Sequence, residues 1–312
     1  MGTGWPGGHA TARSEDHVPT YQRSLVRLML GAGLATVLLA GAAGCGGDDD
    51  DDDAATDDTD QSNDSGDSGD SGDDTTTTAA ADDEASAYCD AELALETAGE
   101  PDIDFETMTP EQQAEAVKTF ATGTLRPLVD DLEPTVPDEL QQHFTALDGA
   151  VTQLETTGDT AAFETPEVVA AAEAAHAYDL ANCGWGSEQV TTTEYAFDGI
   201  PDTLDAGVTS FDLTNSGGEV HEMVLLRKND GVTETAEEIL ALPQAEGLQK
   251  ASLLGVAGPT PPGSPAYVVA DLEAGDYIAV CFIPVGTTSF DGPPAEGPPH
   301  FTQGMFQEFT VG

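Results

Sequence analysis

Three kinds of apolar pattern succeed one another along the chain. An apolar run begins at Leu28 and leads through Leu38 and Leu39 to Cys45. From about Ala85 to Trp185, apolar residues recur at helical spacing, as in Val117, Phe120 and Leu125, or Leu140, Phe144, Leu147, Val151 and Leu154. These positions are predicted core. Helix starts are marked at Thr109-Pro110-Glu111, Val136-Pro137-Asp138-Glu139 and Thr165-Pro166-Glu167, with proline in the first turn and acids that complement the helix dipole. With an earlier helix over Ser86 to Ala98, the stretch predicts four helices.

After Ser187 the period shortens. Residues 208–215 and 220–226 flank the turn Ser216-Gly217-Gly218, and residues 266–272 and 277–283 flank a turn at 273–276. A loop rich in glycine and proline then leads to Pro299-His300 and a last strand over 306–311. The expected architecture is multidomain, a small helical bundle over residues 85–185 followed by a strand-rich part over 187–312.

Between the first run and the bundle, residues 46–84 hold a block of aspartates, Asp-Ser-Gly repeats and four consecutive threonines, with almost no large apolar residue. Such a segment cannot offset its ordering entropy and repels itself, so it reads as a disordered tether. Residues 1–45 read as a secretory signal whose apolar stretch is too short for a convincing membrane span. Its end, Ala42-Ala43-Gly44-Cys45, resembles a bacterial lipobox. That resemblance implies acylation of Cys45 and a lipid-anchored protein on the extracytoplasmic face of the cell membrane; an ordinary cleavage site would leave Cys45 unmodified. Of the remaining cysteines, Cys89 and Cys183 bracket the helical stretch, and the exported compartment permits a disulfide between them. Cys281 would then be the free thiol.

Candidate chemistry lies near the C-terminus. His221 opens a predicted strand, Cys281 stands near the end of another, and His300 and Met305 follow the long loop. One thiolate, two imidazoles and a thioether form the donor set that suits a mononuclear copper centre for electron transfer. Taken singly, each residue has a plainer role: the thiol as a small buried hydrophobe, the methionine as core filler, the histidines as packing or surface residues.

The turn before His221, the Asp271-Leu272 to Tyr277 approach to Cys281 and the ending from His300 to Met305 make residues 187–312 resemble the cupredoxin family of blue-copper Greek-key sandwiches. The resemblance implies one type 1-like copper ion, with His221, His300 and Cys281 as equatorial ligands and Met305 as the axial one. Two features differ from the family pattern. Eighteen residues, Phe282 to Pro299, separate Cys281 from His300, where the family keeps only a few, and Glu222 stands where the family places a bracing Asn.

Charge narrows the partners. The chain has 59 acidic and 8 basic residues, and only Lys118, Arg126, Arg227, Lys228 and Lys250 follow Cys45. Nucleic-acid binding through a basic footprint is excluded, whereas a redox protein with a basic docking surface would be steered toward this one. Only His143, His176, His221 and His300 follow Cys45, too few for a second copper centre of the kind a multicopper oxidase needs. No nucleophile, base and orienter set is legible either, so an enzyme is not expected. The reading is an anchored one-electron carrier; the alternative is a metal-free or copper-storing binding module of the cell envelope.

Overall fold

The computed structural model describes residues 75–99, 101, 108–289 and 295–312. The proposed signal, Cys45 and residues 46–74 lie outside the described residues. Among those described, no helix is long and apolar enough to cross a membrane.

The helical part consists of α1 (Thr75–Glu96), α2 (Pro110–Phe120), a wide π turn (Ala121–Leu125), α3 (Arg126–Leu132), α4 (Gln141–Thr157) and α5 (Pro166–Asn182). α1 begins inside the stretch that composition assigns to the tether, where Ala79 to Ala81 favour helix. At α2, Thr109 and Gln112 form a reciprocal capping box ahead of Pro110. Pro127 does not break the α2–α3 run, because the preceding turn widens to an Arg126 N–H bond with the Ala121 carbonyl. The start expected at Pro137 falls instead at Gln141. Val136 is extended before the proline, and a turn closed by Leu140 N–H on the Pro137 carbonyl (2.9 Å) intervenes.

Val117, Phe120, Leu125, Leu140, Val151 and Leu154 are buried as their spacing predicts, with Phe144 and Leu147 packed at the edge of the same cluster. Arg126 fastens α3 to α4 through Asp148 and through Glu155 at 3.1 Å. The Cys89–Cys183 disulfide joins α1 to the end of α5 across 94 residues of sequence. Beneath it the core contains an electrostatic tension: Glu92 and Asp179 are 5% and 1% exposed. Burial pushes the Asp179 carboxyl up to about 7, against the pull of nearby Tyr88 and His176. Burial likewise raises Glu92, reinforced by Asp179 and Glu96.

The C-terminal part is a sandwich of two mixed sheets. Its strands are β1 (Gly186–Thr193), β2 (Ala196–Asp198), β3 (Thr203–Leu204), β4 (Gly207–Asn215), β5 (His221–Lys228), β6 (Ala251–Thr260), β7 (Pro265–Leu272), β8 (Gly275–Val280) and β9 (Phe306–Val311), with short helices α6 (Ala236–Leu240) and α7 (Gln244–Gly247) between β5 and β6. One sheet runs β2-β1-β4-β7 and the other β3-β9-β8-β5-β6. The pairs β1–β4 and β3–β9 are parallel, the rest antiparallel.

Phe211, Leu213, Val268, Met223, Leu225, Tyr277 and Phe309 fill the space between the sheets. On the outer face of the five-stranded sheet, α6 covers Val224, Leu226, Ile278 and Val280 through Ile239. That second covering explains why β5 reads as a continuous apolar run where an exposed sheet face would alternate.

Helices, disulfide and sandwich agree with the fold class read from the sequence. The chain segments flanking each turn are strands as expected, but they do not pair with each other. β4 and β7 lie in one sheet, β5 and β8 in the other, so both connections cross the sandwich. The two parts meet where the His176 ring of α5 stacks on Tyr267 of β7, with centroids 3.7 Å apart, and its Nε2 reaches Asp212 of β4 at 2.7 Å.

Two outcomes are expected. Non-reduced peptide mapping should find Cys89 linked to Cys183 and Cys281 free, and Cys183→Ser should lower stability by about 4 kcal/mol if unfolded-chain entropy dominates; a bridge to Cys281 would contradict this architecture. An acid whose pKa rises on folding contributes most stability at low pH and loses it as pH climbs through the folded value, here from the ordinary 3.8 to about 7. Tm should therefore fall between pH 4 and pH 8, and Asp179→Asn should flatten the fall; an equal slope in the variant would sink this account.

Candidate metal centre

The first strand of the centre is β5, whose first residue is His221. Its side chain is held at the sheet end by the turn before it. Asn215 orders that turn: its amide donates to the carbonyls of Glu219 (2.8 Å) and Thr260 (2.7 Å), and its oxygen accepts from Gly217 N–H (2.8 Å). Gly217 has to be glycine here, since a Cβ would stand 2.8 Å from His221 Nε2 and 2.7 Å from a Glu194 carboxylate oxygen.

Cys281 follows directly after β8, one residue past the point where the strand stops. Its N–H donates to the Met305 carbonyl (3.1 Å), and its carbonyl accepts from Phe301 N–H (3.0 Å). Eighteen residues then separate Cys281 from His300, yet the excursion is closed at its base. Pro284 bridges Pro299, His300 N–H donates to the Ile283 carbonyl (2.8 Å), and Val285 N–H donates to the Pro298 carbonyl (2.9 Å). The long loop therefore leaves and returns at one place, as the slow growth of closure entropy with length permits. A single 3₁₀ turn, His300–Gln303, ends on Gly304 at φ 102°, a conformation glycine adopts without penalty, and the chain reverses into Met305.

His221, Cys281 and His300 converge, with all three fully buried and their donor atoms within 4.8 Å of one another. His221 Nδ1 lies 3.2 Å from His300 Nδ1, which lies 3.3 Å from Cys281 Sγ. Those separations suit a metal about 2 Å from each donor. Met305 is buried in the sandwich core at the same end, its N–H bonded to the His300 carbonyl at 3.2 Å. All four residues singled out in the sequence thus come to one end of the sandwich, three of them as a cluster of side chains.

The surroundings prepare the histidines as ligands. Burial lowers the His221 imidazole to about 4, with the neighbouring His300 adding to the effect, and burial also lowers His300 against the opposing pull of Glu219. Both rings are therefore neutral at pH 7. His300 Nε2 meets Glu219 at 3.0 Å; with the proton on Nε2, Nδ1 presents its lone pair toward Cys281 and His221. Burial pushes the Cys281 thiol well up, so a metal ion must displace the proton to bind there.

Several residues of the site are not legible as ligands or braces in the sequence. Glu219 also accepts from Gly286 N–H on the long loop and from the Tyr195 hydroxyl at 3.3 Å. Burial pushes its carboxyl up, but the Gly286 amide and His300 outweigh that and hold it below the usual range. Glu194 accepts from Gly218 and Glu219 N–H and comes within 4.0 Å of His221 Nε2. Between them Tyr195, at φ 119°, lays its ring edge-on to His300 with centroids 4.9 Å apart. Glu222 does brace the site: Oε1 accepts from Phe282 N–H at 3.2 Å, tying β5 to the residue after Cys281. Asn215 is the one brace with a local signal, being the first residue of the Asn-Ser-Gly turn.

His143 and His176 lie away from this centre, His143 beside a cleft in the helical part and His176 against the sandwich.

No family model matches the chain, and no curated protein matches it. Among solved structures, the dithionite-reduced auracyanin of the photosynthetic bacterium Roseiflexus castenholzii is similar at 19% identity, covering 40% of this chain and 96% of that one, with a TM-score of 0.24. Auracyanin A, a "blue" copper protein of the green thermophilic photosynthetic bacterium Chloroflexus aurantiacus, is similar at 18% identity over 41% of this chain and all of its own, with a TM-score of 0.25. Reduced rusticyanin matches at 16% identity over 40% of this chain and 77% of its own, with a TM-score of 0.25. In this chain, the C-terminal sandwich carries a buried cluster of His221, Cys281 and His300, two imidazoles and a thiol whose donor types suit a single copper ion.

Proposed function

We propose that the sandwich is a one-electron carrier in which His221, Cys281 and His300 would hold copper and Met305 would supply a weaker fourth donor. The convergence of two neutral imidazole Nδ1 atoms and one buried thiol carries this reading. When bound, copper supplies a Cu(I)/Cu(II) couple in a three-donor site with a weak fourth ligand. The chain's own contribution is rigidity: Asn215, Glu222 and the closed base of the long loop fix the donors before any ion arrives, so little rearrangement accompanies a change of charge. Glu219 and Glu194 set negative charge behind the two rings, which favours the more positive oxidation state and lowers the potential. Tyr195, packed edge-on to His300 and half-buried, would offer an aromatic route from the buried ligands toward a partner.

The same proposal includes an anchor and a partner. Acylated Cys45 would hold the protein on the extracytoplasmic face of the membrane, with residues 46–74 as part of the spacer. The acidic excess favours a redox protein with a basic docking surface, in an association that weakens with salt. The scarcity of histidines favours a carrier over a multicopper enzyme.

Cu(II) should give the purified protein an intense thiolate charge-transfer band in the visible. Cys281→Ser should abolish it, His221→Ala or His300→Ala should weaken binding, and Met305→Leu should keep the colour while shifting the potential. Glu219→Gln should raise the potential and reduce copper affinity by about tenfold. Copper uptake that survives Cys281→Ser unchanged would refute the electron-carrier reading and favour a copper-storing module, and a folded protein that takes up no copper would favour a metal-free one. For the anchor, Cys45→Ser should release the protein from the detergent phase or leave it unprocessed; a processed variant that still partitions with membranes would disprove lipidation.

A further inference from the structure

All three donors of the candidate centre are wholly buried, so a metal ion reaches them only if a covering segment moves aside. Three segments close around the two rings. The turn at 216–219 passes over His221, near enough that a Cβ on Gly217 would stand 2.8 Å from its Nε2. The root of the long loop pairs beside His300. The third is the two-residue tip between β1 and β2, Glu194 and Tyr195. A Glu194 carboxylate oxygen lies 4.0 Å from His221 Nε2, and the Tyr195 ring stands edge-on to His300.

These segments are not held alike. The turn is fixed by three bonds of the buried Asn215 side chain, at 2.8, 2.7 and 2.8 Å, and by Val220 N–H on the Thr287 carbonyl at 2.7 Å. The loop root is fixed by backbone pairing of residues 283–285 with 298–300. Among the described residues, the tip is bound to the rest of the site by side chains alone: the Glu194 carboxylate accepts from Gly218 and Glu219 N–H, and the Tyr195 hydroxyl donates to Glu219 at 3.3 Å. The nearest backbone tie lies behind it, where Ser216 N–H donates to the Thr192 carbonyl at 2.9 Å. β2, on the far side of the tip, is a three-residue strand at the sheet edge that pairs only with β1. Tyr195 also stands at φ 119°, where a residue bearing a Cβ is strained, and a displaced tip would relieve that strain. The Glu194 side chain is 38% exposed and Tyr195 is half-buried, so one layer separates each ring from solvent.

We propose that the Glu194–Tyr195 tip is the entry gate of the metal centre: it swings out about Thr192, uncovers the two rings, and closes again once the ion is in place. The inference rests on the copper reading above. Glu194 fits the role, because a carboxylate at the mouth draws a cation toward the ring it uncovers. Tyr195 then acts on the rate of uptake, through the cover it provides, and the donors themselves set the affinity.

Amide hydrogen exchange of the intact, metal-free protein reads the opening directly. Gly218 and Glu219, whose N–H groups bond Glu194, should be protected at least about tenfold less than Gly217 and Val220, which bond Asn215 and Thr287. Stopped-flow mixing of the same protein with excess Cu(II), followed at the thiolate charge-transfer band, should give a rate that levels off as copper rises, because opening limits it. Tyr195→Gly should lift that plateau about tenfold. It should lower the Tm of the metal-free protein by no more than about 3 °C, since relief at the positive φ offsets the lost ring contacts. Tyr195→Phe, which keeps the ring and loses the hydroxyl bond to Glu219, should lift the plateau about threefold. Thr287→Ala, which loosens the long loop at its bond to the Pro284 carbonyl (2.7 Å), should leave it unchanged. Equal protection of the four amides, a plateau unmoved by Tyr195→Gly, or one raised as much by Thr287→Ala would overturn the gate. A wild type that folds and shows no band refutes the copper reading instead, and the exchange measurement still decides whether the tip opens.

Discussion

The pairing of Ile283 to Val285 with Pro298 to His300 is the constraint on which the centre depends. Two backbone hydrogen bonds and one bridge close the long loop at its root, so the spacing between Cys281 and His300 in sequence ceases to matter for their spacing in space. What remains is a short, rigid path from Cys281 through the base to His300. The Phe301 and Met305 amides bond back to Cys281 and His300 and fasten the last turn. Loosening that root would leave the thiol in place at the end of β8 and weaken the hold on the imidazole, which Glu219 and the packing of Tyr195 would then have to keep in position.

At the rim of this core the protein places carboxylates beside buried ligands. Glu194 and Glu219 are tolerated because backbone amides from Gly218, Glu219 and Gly286 hydrogen-bond their oxygens. Tyr195 between them adopts a positive φ at a cost on the order of 1–3 kcal/mol, and in that conformation its ring covers His300. The ligands are thus sealed from solvent by a polar, hydrogen-bonded lid whose charge is fixed. The loop that looks like an oversized insertion supplies Gly286 to this lid, which gives its length a structural purpose.

A different logic governs the helical part. Its apolar core and its disulfide are conventional stabilisers, yet it buries Glu92 and Asp179 close together beside Tyr88. The stack of His176 on Tyr267 brings that acidic interior to the sandwich. Packing and electrostatics therefore pull in opposite directions at this junction, whereas around the metal centre they agree.

Much of this was legible in the chain itself. The helical spacing of Val117, Phe120, Val151 and Leu154, the strands around His221 and Cys281, the donor set and the pairing of Cys89 with Cys183 all follow from local periodicity, residue chemistry and cysteine arithmetic. Periodicity reports which face of an element is buried, and donor type reports which metal it suits. Neither reports which strand lies beside which. That β4 and β5 belong to opposite sheets, that Glu222 replaces the expected brace by bonding Phe282, and that Glu219 steers His300 were decided by tertiary structure. So was the meeting of Tyr88, Glu92 and Tyr267 around one cleft. Each joins residues distant in sequence, and a hydrogen bond or a burial cost acts on distance in space, to which sequence separation gives almost no guide.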